Sequence, residues 1–249
     1  MSIPGPQSPP PKPVTDVWQP ELVRLPERTP MRRAVRGFLR GLMRAIMRVC
    51  LKAELRGMEN LPRRGPFVLV INHLGDADVP LLVGALPMEL DGFAKIELRS
   101  FPILGKVFDW YGVIWLHRGQ ADRRAMRAAL QGLEQGRVIA LAPEGRYSLI
   151  QGLEDGSDGA AFLARKADVP VVPIALTGTE NEHTYRNLRR FRRAPVTLTV
   201  GVPFRLGEEG GVKRSERLKE DTRRIMEGLA ALLPEEYKGV YGERKKEER

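Results

Sequence analysis

Cysteine occurs once in these 249 residues, at Cys50, which excludes a disulfide framework and any cysteine-based metal site and suits a reducing compartment. Histidine is nearly as scarce, with His73, His117 and His183 the whole supply. Long hydrophobic runs are missing: no stretch reaches the roughly 18 apolar residues read as a transmembrane helix, and the proline-rich start does not resemble a secretion signal. No Gly-x-Ser-x-Gly elbow is present, which weakens a serine-hydrolase reading. Acid is absent from the whole stretch Met31 to Lys52.

What is present is a composition, 42% hydrophobic and 29% charged, sufficient for one sizeable core and one main domain. The formal charge of +10 is unevenly spread. Residues 1–56 hold eleven Lys and Arg against Asp16, Glu21, Glu27 and Glu54, a net of +7, so the basicity is an N-terminal feature.

Residues 1–30 contain nine of the twenty prolines and little periodicity, so this segment is expected to be disordered or loosely draped. Residues 31–56 form the next unit. Arg32, Arg36, Arg40, Arg44 and Arg48 recur every four residues, with Val35, Phe38, Leu39, Leu42, Met43, Ile46 and Val49 at helical spacing between them. The pattern predicts a basic amphipathic helix suited to an anionic membrane surface, where each cation contributes on the order of 1 kcal/mol. Two alternatives remain: the apolar face packs on the protein's own core with the arginines solvated, or the arginines meet nucleic-acid phosphates.

From residue 57 to 237 strand-like and helix-like segments alternate. Phe67–Ile71, Phe93–Lys95, Val113–Leu116, Val138–Ala142, residues 169–178 and Val196–Val200 read as strands. Helices are expected at Val79–Leu86, from Phe101, at Ala121–Gln135, at Ser157–Ala167, and around Leu218, Ile225, Leu229 and Leu232. This predicts an α/β domain with a mostly parallel central sheet flanked by helices, preceded by the basic segment and followed by a charged tail, 238–249. Tyr185–Arg193 adds five arginines without an acid, a solvated face or a contact for a nucleotide or bilayer.

Chemistry concentrates where the first buried strand ends, in Gly65–Pro80, GPFVLVINHLGDADVP. In open α/β sheets ligands sit at the carboxyl ends of strands, and His73 follows such an end closely. An imidazole acts as general base when a carboxylate holds its other ring nitrogen; Asp78 is the candidate, Asp76 its competitor. Alternatively, either aspartate simply caps the next helix. A later strand runs into PEGRYS, where Glu144 and Arg146 flank Gly145, a turn that brings backbone N–H groups or a guanidinium to a ligand, or that merely holds an internal Glu144–Arg146 ion pair.

The series Asn72-His73-x4-Asp78, Lys95-x-Glu97-Leu98, a strand ending in Arg118, Pro143-Glu144-Gly145 and Val169–Ile174 resembles, over roughly residues 57–205, the phospholipid/glycerol acyltransferase family, best known for 1-acylglycerol-3-phosphate acyltransferases. That resemblance implies His73 as the base that deprotonates an acceptor hydroxyl and Asp78 as its orienting partner. It implies Arg118 and Lys95 as ligands of the acceptor's phosphate, the loop Glu144, Gly145, Arg146 as substrate-binding, and Val171–Ile174 as part of the acyl or thioester pocket. It also implies a membrane-associating segment before the α/β domain. The family's Phe-Pro-Glu-Gly-Thr-Arg-Ser is altered here: Arg146 stands at the threonine position, Tyr147 at the arginine position, and Gly75 where serine is common.

The function implied is transfer of a fatty acyl group from acyl-CoA or an acyl carrier protein to lysophosphatidate in phospholipid biosynthesis. No cofactor beyond that co-substrate, no metal and no nucleic-acid partner are expected. The expected setting is the cytoplasmic face of the cell membrane, peripheral or monotopic, touched through residues 31–52. The alternatives are another acceptor, such as glycerol 3-phosphate, another lyso-lipid or a lipid alcohol, or a non-catalytic basic protein that binds membranes or nucleic acid.

Overall fold

The computed structural model describes residues 14–117, 122–207 and 213–242. Its strands are Leu51–Arg56 (β1), Phe67–Ile71 (β2), Asp91–Lys95 (β3), Ile114–Leu116 (β4), Val138–Leu141 (β5), Val171–Thr177 (β6) and Ala194–Val200 (β7). Its α-helices are Pro30–Cys50 (α1), Asp78–Ala85 (α2), Leu104–Tyr111 (α3), Arg123–Glu134 (α4), Gly159–Lys166 (α5), Asn181–Arg189 (α6) and Arg214–Ala230 (α7).

One sheet runs in the order β1-β7-β6-β2-β5-β3-β4. The five strands from β6 to β4 are mutually parallel; β7 is antiparallel to β6, and β1 runs parallel to β7. β2 lies between β6 and β5 and is buried on both faces, which is why it reads as an unbroken apolar run. Val68 and Val70 face a core built with α4, α5 and α7, while Phe67, Leu69 and Ile71 face a second core with Leu81 and Leu82 of α2. The parallel arrangement brings the loops after β2, β3, β4 and β5 to one edge of the sheet, where a site can form.

Three expectations are corrected. The N-terminal stretch is not loose throughout: Val23 is buried, Leu25 packs on the core, and Arg137 donates to the Pro26 carbonyl at 2.8 Å. The boundary after residue 56 falls too late, because α1 ends at Cys50 and the next residue enters β1, an edge strand with Lys52, Glu54 and Arg56 turned outward. The tail expected from 238 begins with residues packed on the domain, as the Val240 N–H donates to the Leu153 carbonyl at 3.0 Å.

α1 forms where the periodicity places it, with Thr29 accepting the Arg32 N–H as N-cap. Its orientation departs from a solvated arginine face, since three of its arginines turn inward while Arg33 and Arg48 stay exposed. Arg36 is buried, donating to Asp91 at 2.5 Å and to the carbonyls of Tyr111 at 2.8 Å and Gly112 at 3.0 Å. Arg40 donates to the carbonyls of Leu86 and Met88, and Arg44 to that of Gly84, so both cations meet the carbonyl end of α2. Met31, Phe38, Leu42 and Val49 face outward, Phe38 with 71% exposure. The physical reason is that a helix C-terminus and a buried carboxylate offer acceptors that arginine forks satisfy and leucines cannot.

Candidate active site

The loop between β2 and α2 carries His73, and its neighbours hold it from several sides. Asn72 clamps the end of β2 to β6, accepting the Leu176 N–H at 2.7 Å and donating to the Leu176 carbonyl at 2.8 Å. The His73 N–H donates to Glu144 Oε1 at 3.3 Å, and the His73 carbonyl accepts from the Ser148 N–H at 2.8 Å. Both backbone groups of His73 are therefore bonded to the loop after β5. Gly75 is required by close approach: a Cβ there would lie 2.5 Å from the Thr179 carbonyl oxygen, so the serine common at this place in the resembling family does not fit this backbone.

His73 Nδ1 lies 2.6 Å from Asp78 Oδ2. The same oxygen accepts the N–H of Leu74 at 2.9 Å and of Gly75 at 3.1 Å, which fixes the carboxylate independently of the ring. A carboxylate only accepts, so Nδ1 carries the proton that faces Asp78, and in the neutral ring the lone pair is on Nε2. The His73 side chain is 25% exposed and Asp78 is fully buried, an arrangement that presents a base and seals its partner. Asp78, not Asp76, therefore holds the imidazole, and it does so from the first turn of α2.

The loop after β5 differs from expectation in its internal pairing. Glu144 is fully buried, and its second oxygen accepts the Glu154 N–H at 3.0 Å. It thus braces the His73 loop through backbone hydrogen bonds and leaves Arg146 to another acid. Arg146 donates to Glu154 Oε2 from Nε at 2.9 Å and from Nη2 at 2.7 Å, and its side chain is only 10% exposed. Gly145 between them has φ 71°, a left-handed conformation suited to glycine. Tyr147 follows and packs edge-on against His73, ring centroids 4.2 Å apart. Burial, then the hydrogen bond to and the charge of Asp76, push its phenol well above the usual tyrosine value.

Lys95 ends β3 on the same edge of the sheet, two strands from β2 and partly exposed. Arg118 lies outside the described residues. Val171–Ile174 are buried in β6 beside β2.

Two features escaped the sequence reading. Asp76 is bonded to Tyr147 at 2.8 Å and to Tyr185, on α6, at 2.6 Å; nothing in the spacing of these residues announced that meeting. The second was visible, since His117 and Asp122 repeat the His-x4-Asp spacing and bond at 2.9 Å. His117 Nε2 accepts the Gln19 N–H at 3.0 Å, and the ring is buried beneath Trp18. Both of its nitrogens are engaged, so of the two pairs only His73 offers a base to a substrate. Among the described residues no cluster of three His, Cys, Asp or Glu side chains is placed to hold a metal.

The family model described as "Acyltransferase" matches residues 52–177. The chain is 30% identical over 128 residues to the lyso-ornithine lipid O-acyltransferase of Pseudomonas aeruginosa, covering 51% of this chain and 48% of that one. It is 29% identical over 156 residues to the human 1-acyl-sn-glycerol-3-phosphate acyltransferase alpha, covering 61% and 55%. The chain thus spans about half the length of the curated relatives it matches. The crystal structure of the 1-acyl-sn-glycerophosphate acyltransferase from Thermotoga maritima superposes with a TM-score of 0.59 over 82% of this chain and 84% of that one, at 24% identity, a likeness of fold.

Proposed function

The chain belongs to the acyltransferase family, and from that premise we propose that it moves a fatty acyl group from an acyl-CoA or acyl-carrier-protein thioester to the hydroxyl of a lyso-lipid, with His73 as general base oriented by Asp78. The observation that carries this reading is the geometry at His73: Nδ1 held at 2.6 Å by a sealed carboxylate, and the ring partly open to solvent.

In the proposed reaction Nε2 takes the acceptor's hydroxyl proton as the oxygen attacks the thioester carbonyl carbon. The C–O ester bond forms, the C–S bond breaks, and the imidazolium returns its proton to the departing thiolate. Asp78 keeps the ring in one tautomer and stabilises the transient imidazolium. Base catalysis of this kind contributes about 10²- to 10⁴-fold. The relatives' names supply two kinds of acceptor, 1-acylglycerol 3-phosphate and a lyso-ornithine lipid, and both present a hydroxyl beside one acyl chain.

The setting proposed is a membrane surface on the cytoplasmic side; no described helix is long and apolar enough to cross a bilayer. Support comes from the outward apolar face of α1. Helix α3, which packs beside α1, and the segment leading into it expose Phe101, Ile103, Leu104 and Trp110, with Ile103 78% exposed. Exposed apolar surface on this scale marks an interaction site.

The test is acyl transfer from labelled acyl-CoA and acyl carrier protein to a lyso-lipid panel, comparing wild type with His73→Ala and Asp78→Asn. Loss of turnover in both variants supports the reading; equal rates in all three overturn the roles of His73 and Asp78, and no transfer by wild type to any acceptor puts a non-catalytic membrane or nucleic-acid binder in its place.

A further inference from the structure

Asp76 lies on the catalytic loop yet takes no part in holding His73. Its carboxylate is fixed by donors from two other parts of the chain: the Tyr147 hydroxyl reaches Oδ1 at 2.8 Å from the loop after β5, and the Tyr185 hydroxyl reaches Oδ2 at 2.6 Å from α6. Its own N–H donates to Asn181 Oδ1 at 2.8 Å, so the backbone beneath it is tied down as well. Asp76, Tyr147 and Tyr185 are all solvent-exposed, and these two phenols are the side-chain partners of Asp76 among the described residues. Holding an anion this firmly at the surface, with no cation against it among the described residues, needs an explanation that its neighbours' folding does not supply.

We propose that Asp76, Tyr147 and Tyr185 form a binding site for an ammonium group on the head of the acceptor lyso-lipid. A carboxylate has about four acceptor positions, and the phenols occupy two, leaving room for N–H donors. Aromatic rings attract primary and quaternary ammonium groups, so the two phenols that meet at the carboxylate add to its pull on such a group. Tyr147 spans the distance between this site and the base. Its ring lies 4.2 Å from the His73 ring while its hydroxyl holds Asp76, so a head group seated on the carboxylate leaves its hydroxyl-bearing end beside His73. The same anion disfavours a phosphomonoester by like-charge repulsion, and the neighbouring guanidinium of Arg146 is engaged with Glu154. This assignment rests on the acyl-transfer reading above and names the acceptor class within it.

The experiment compares lysophosphatidate with lyso-lipids carrying a primary ammonium (lysophosphatidylethanolamine and an amino-acid-headed lyso-lipid) and a quaternary one (lysophosphatidylcholine). Wild type is expected to favour at least one ammonium class over lysophosphatidate in kcat/KM, and the two arms separate the primary from the quaternary source. In Asp76→Asn the ratio of kcat/KM for the favoured ammonium acceptor to that for lysophosphatidate falls about tenfold, chiefly through KM, and Tyr185→Phe, which does not touch His73, moves it the same way. A wild-type preference for lysophosphatidate, or an unchanged ratio in Asp76→Asn, overturns the proposal. Loss of transfer to every acceptor in His73→Ala belongs to the underlying reading and does not bear on the ammonium site. Binding of short-chain lysophosphatidylcholine and of the amino-acid-headed lyso-lipid, measured without turnover, decides that site even if no acceptor is acylated: weaker binding of either by Asp76→Asn supports it, and equal binding of both overturns it.

Discussion

Arg36 in the middle of α1 and Asp91 at the start of β3 meet at 2.5 Å with their side chains 2% and 0% exposed, a buried ion pair between the N-terminal helix and the sheet. Burial works against the charge of Arg36, but the charge and hydrogen bond of Asp91, with Tyr111 and Glu89 beside it, outweigh that cost, so the guanidinium is held above the usual arginine pKa. The helix is anchored by one of the residues whose charge marked it as a membrane-seeking surface.

Removing Arg36 takes away the 2.5 Å partner of Asp91 and leaves it only the more distant guanidinium groups of Arg28 and Arg137, each at 3.8 Å. Arg36→Met is expected to destabilise the fold by about 3 kcal/mol, read as a lower midpoint in urea. The double variant Arg36→Met/Asp91→Leu recovers part of that loss, because the buried carboxylate that has lost its hydrogen-bonded partner goes with it. Equal stability of wild type and the single variant rules the anchoring role out.

Asn72 is the other tie on which the site's geometry depends. Asn72→Ala strands both the N–H and the carbonyl of Leu176 in a buried setting, at about 1–3 kcal/mol for each group left unsatisfied. Activity is expected to fall further than stability alone accounts for, since His73 is the next residue. The measurements are thermal melting and kcat at a temperature where the variant remains folded.

Gly75→Ser supplies the residue common in the resembling family and places a Cβ against the Thr179 carbonyl and Asn181. The neighbours are backbone and a bonded side chain, so relief requires the loop itself to move. A cost of about 1–3 kcal/mol is expected, with reduced turnover because Gly75 N–H donates to Asp78. A fully active, equally stable Gly75→Ser variant contradicts the close approach.

How much of this was legible follows from which forces leave a trace in composition. β2 is buried on both faces, so its five residues are apolar without interruption and its position was plain. The His73–Asp78 pair was legible because a loop of four intervening residues makes the contact local. β1 was missed because an edge strand with one wet face, LKAELR, continues the look of the basic helix before it. The facing of α1 was misjudged for a different reason. Hydropathy counts arginine as outward, while Arg40 and Arg44 gain acceptors from a helix end that only the assembled fold supplies. Asp76 with Tyr147 and Tyr185 joins residues far apart in the chain, a meeting that no spacing rule reports.

His117 and Asp122 give a pH prediction with a definite sign. Burial alone raises the Asp122 carboxyl, but hydrogen bonds from the His117 N–H, the His117 ring and the Ala125 N–H outweigh it and hold the group below the usual carboxylate value. A depressed pKa in the folded state means stability that is present above the unfolded carboxylate range and lost as pH falls through the folded value. Melting temperature is therefore expected to drop on acidification below about pH 4. Asp122→Asn, which keeps a side-chain oxygen for the helix cap, is less stable near neutrality and shows a shallower acid limb. Parallel curves for the two proteins assign the acid loss to other carboxylates.

The outward face of α1 makes the last prediction, because two kinds of membrane contact respond differently to salt. If arginines on the helix supplied the attraction, binding to anionic vesicles would fade as ionic strength rises past the point where surface charges are screened. Arg36, Arg40 and Arg44 are spent on Asp91 and on backbone carbonyls, which leaves exposed Arg33 and Arg48 as the helix's outward cations and most of the contact to Met31, Phe38, Leu42 and Val49. Vesicle flotation is therefore expected to persist into high salt. Phe38→Asp, at a position 71% exposed with little packing to lose, is expected to weaken flotation about 30-fold or more while melting changes little, given about 2–3 kcal/mol for burying a phenylalanine side chain. Arg40→Gln is expected to do the opposite, lowering melting while flotation holds, and the reverse pattern in this pair of variants would return the arginines to the membrane side.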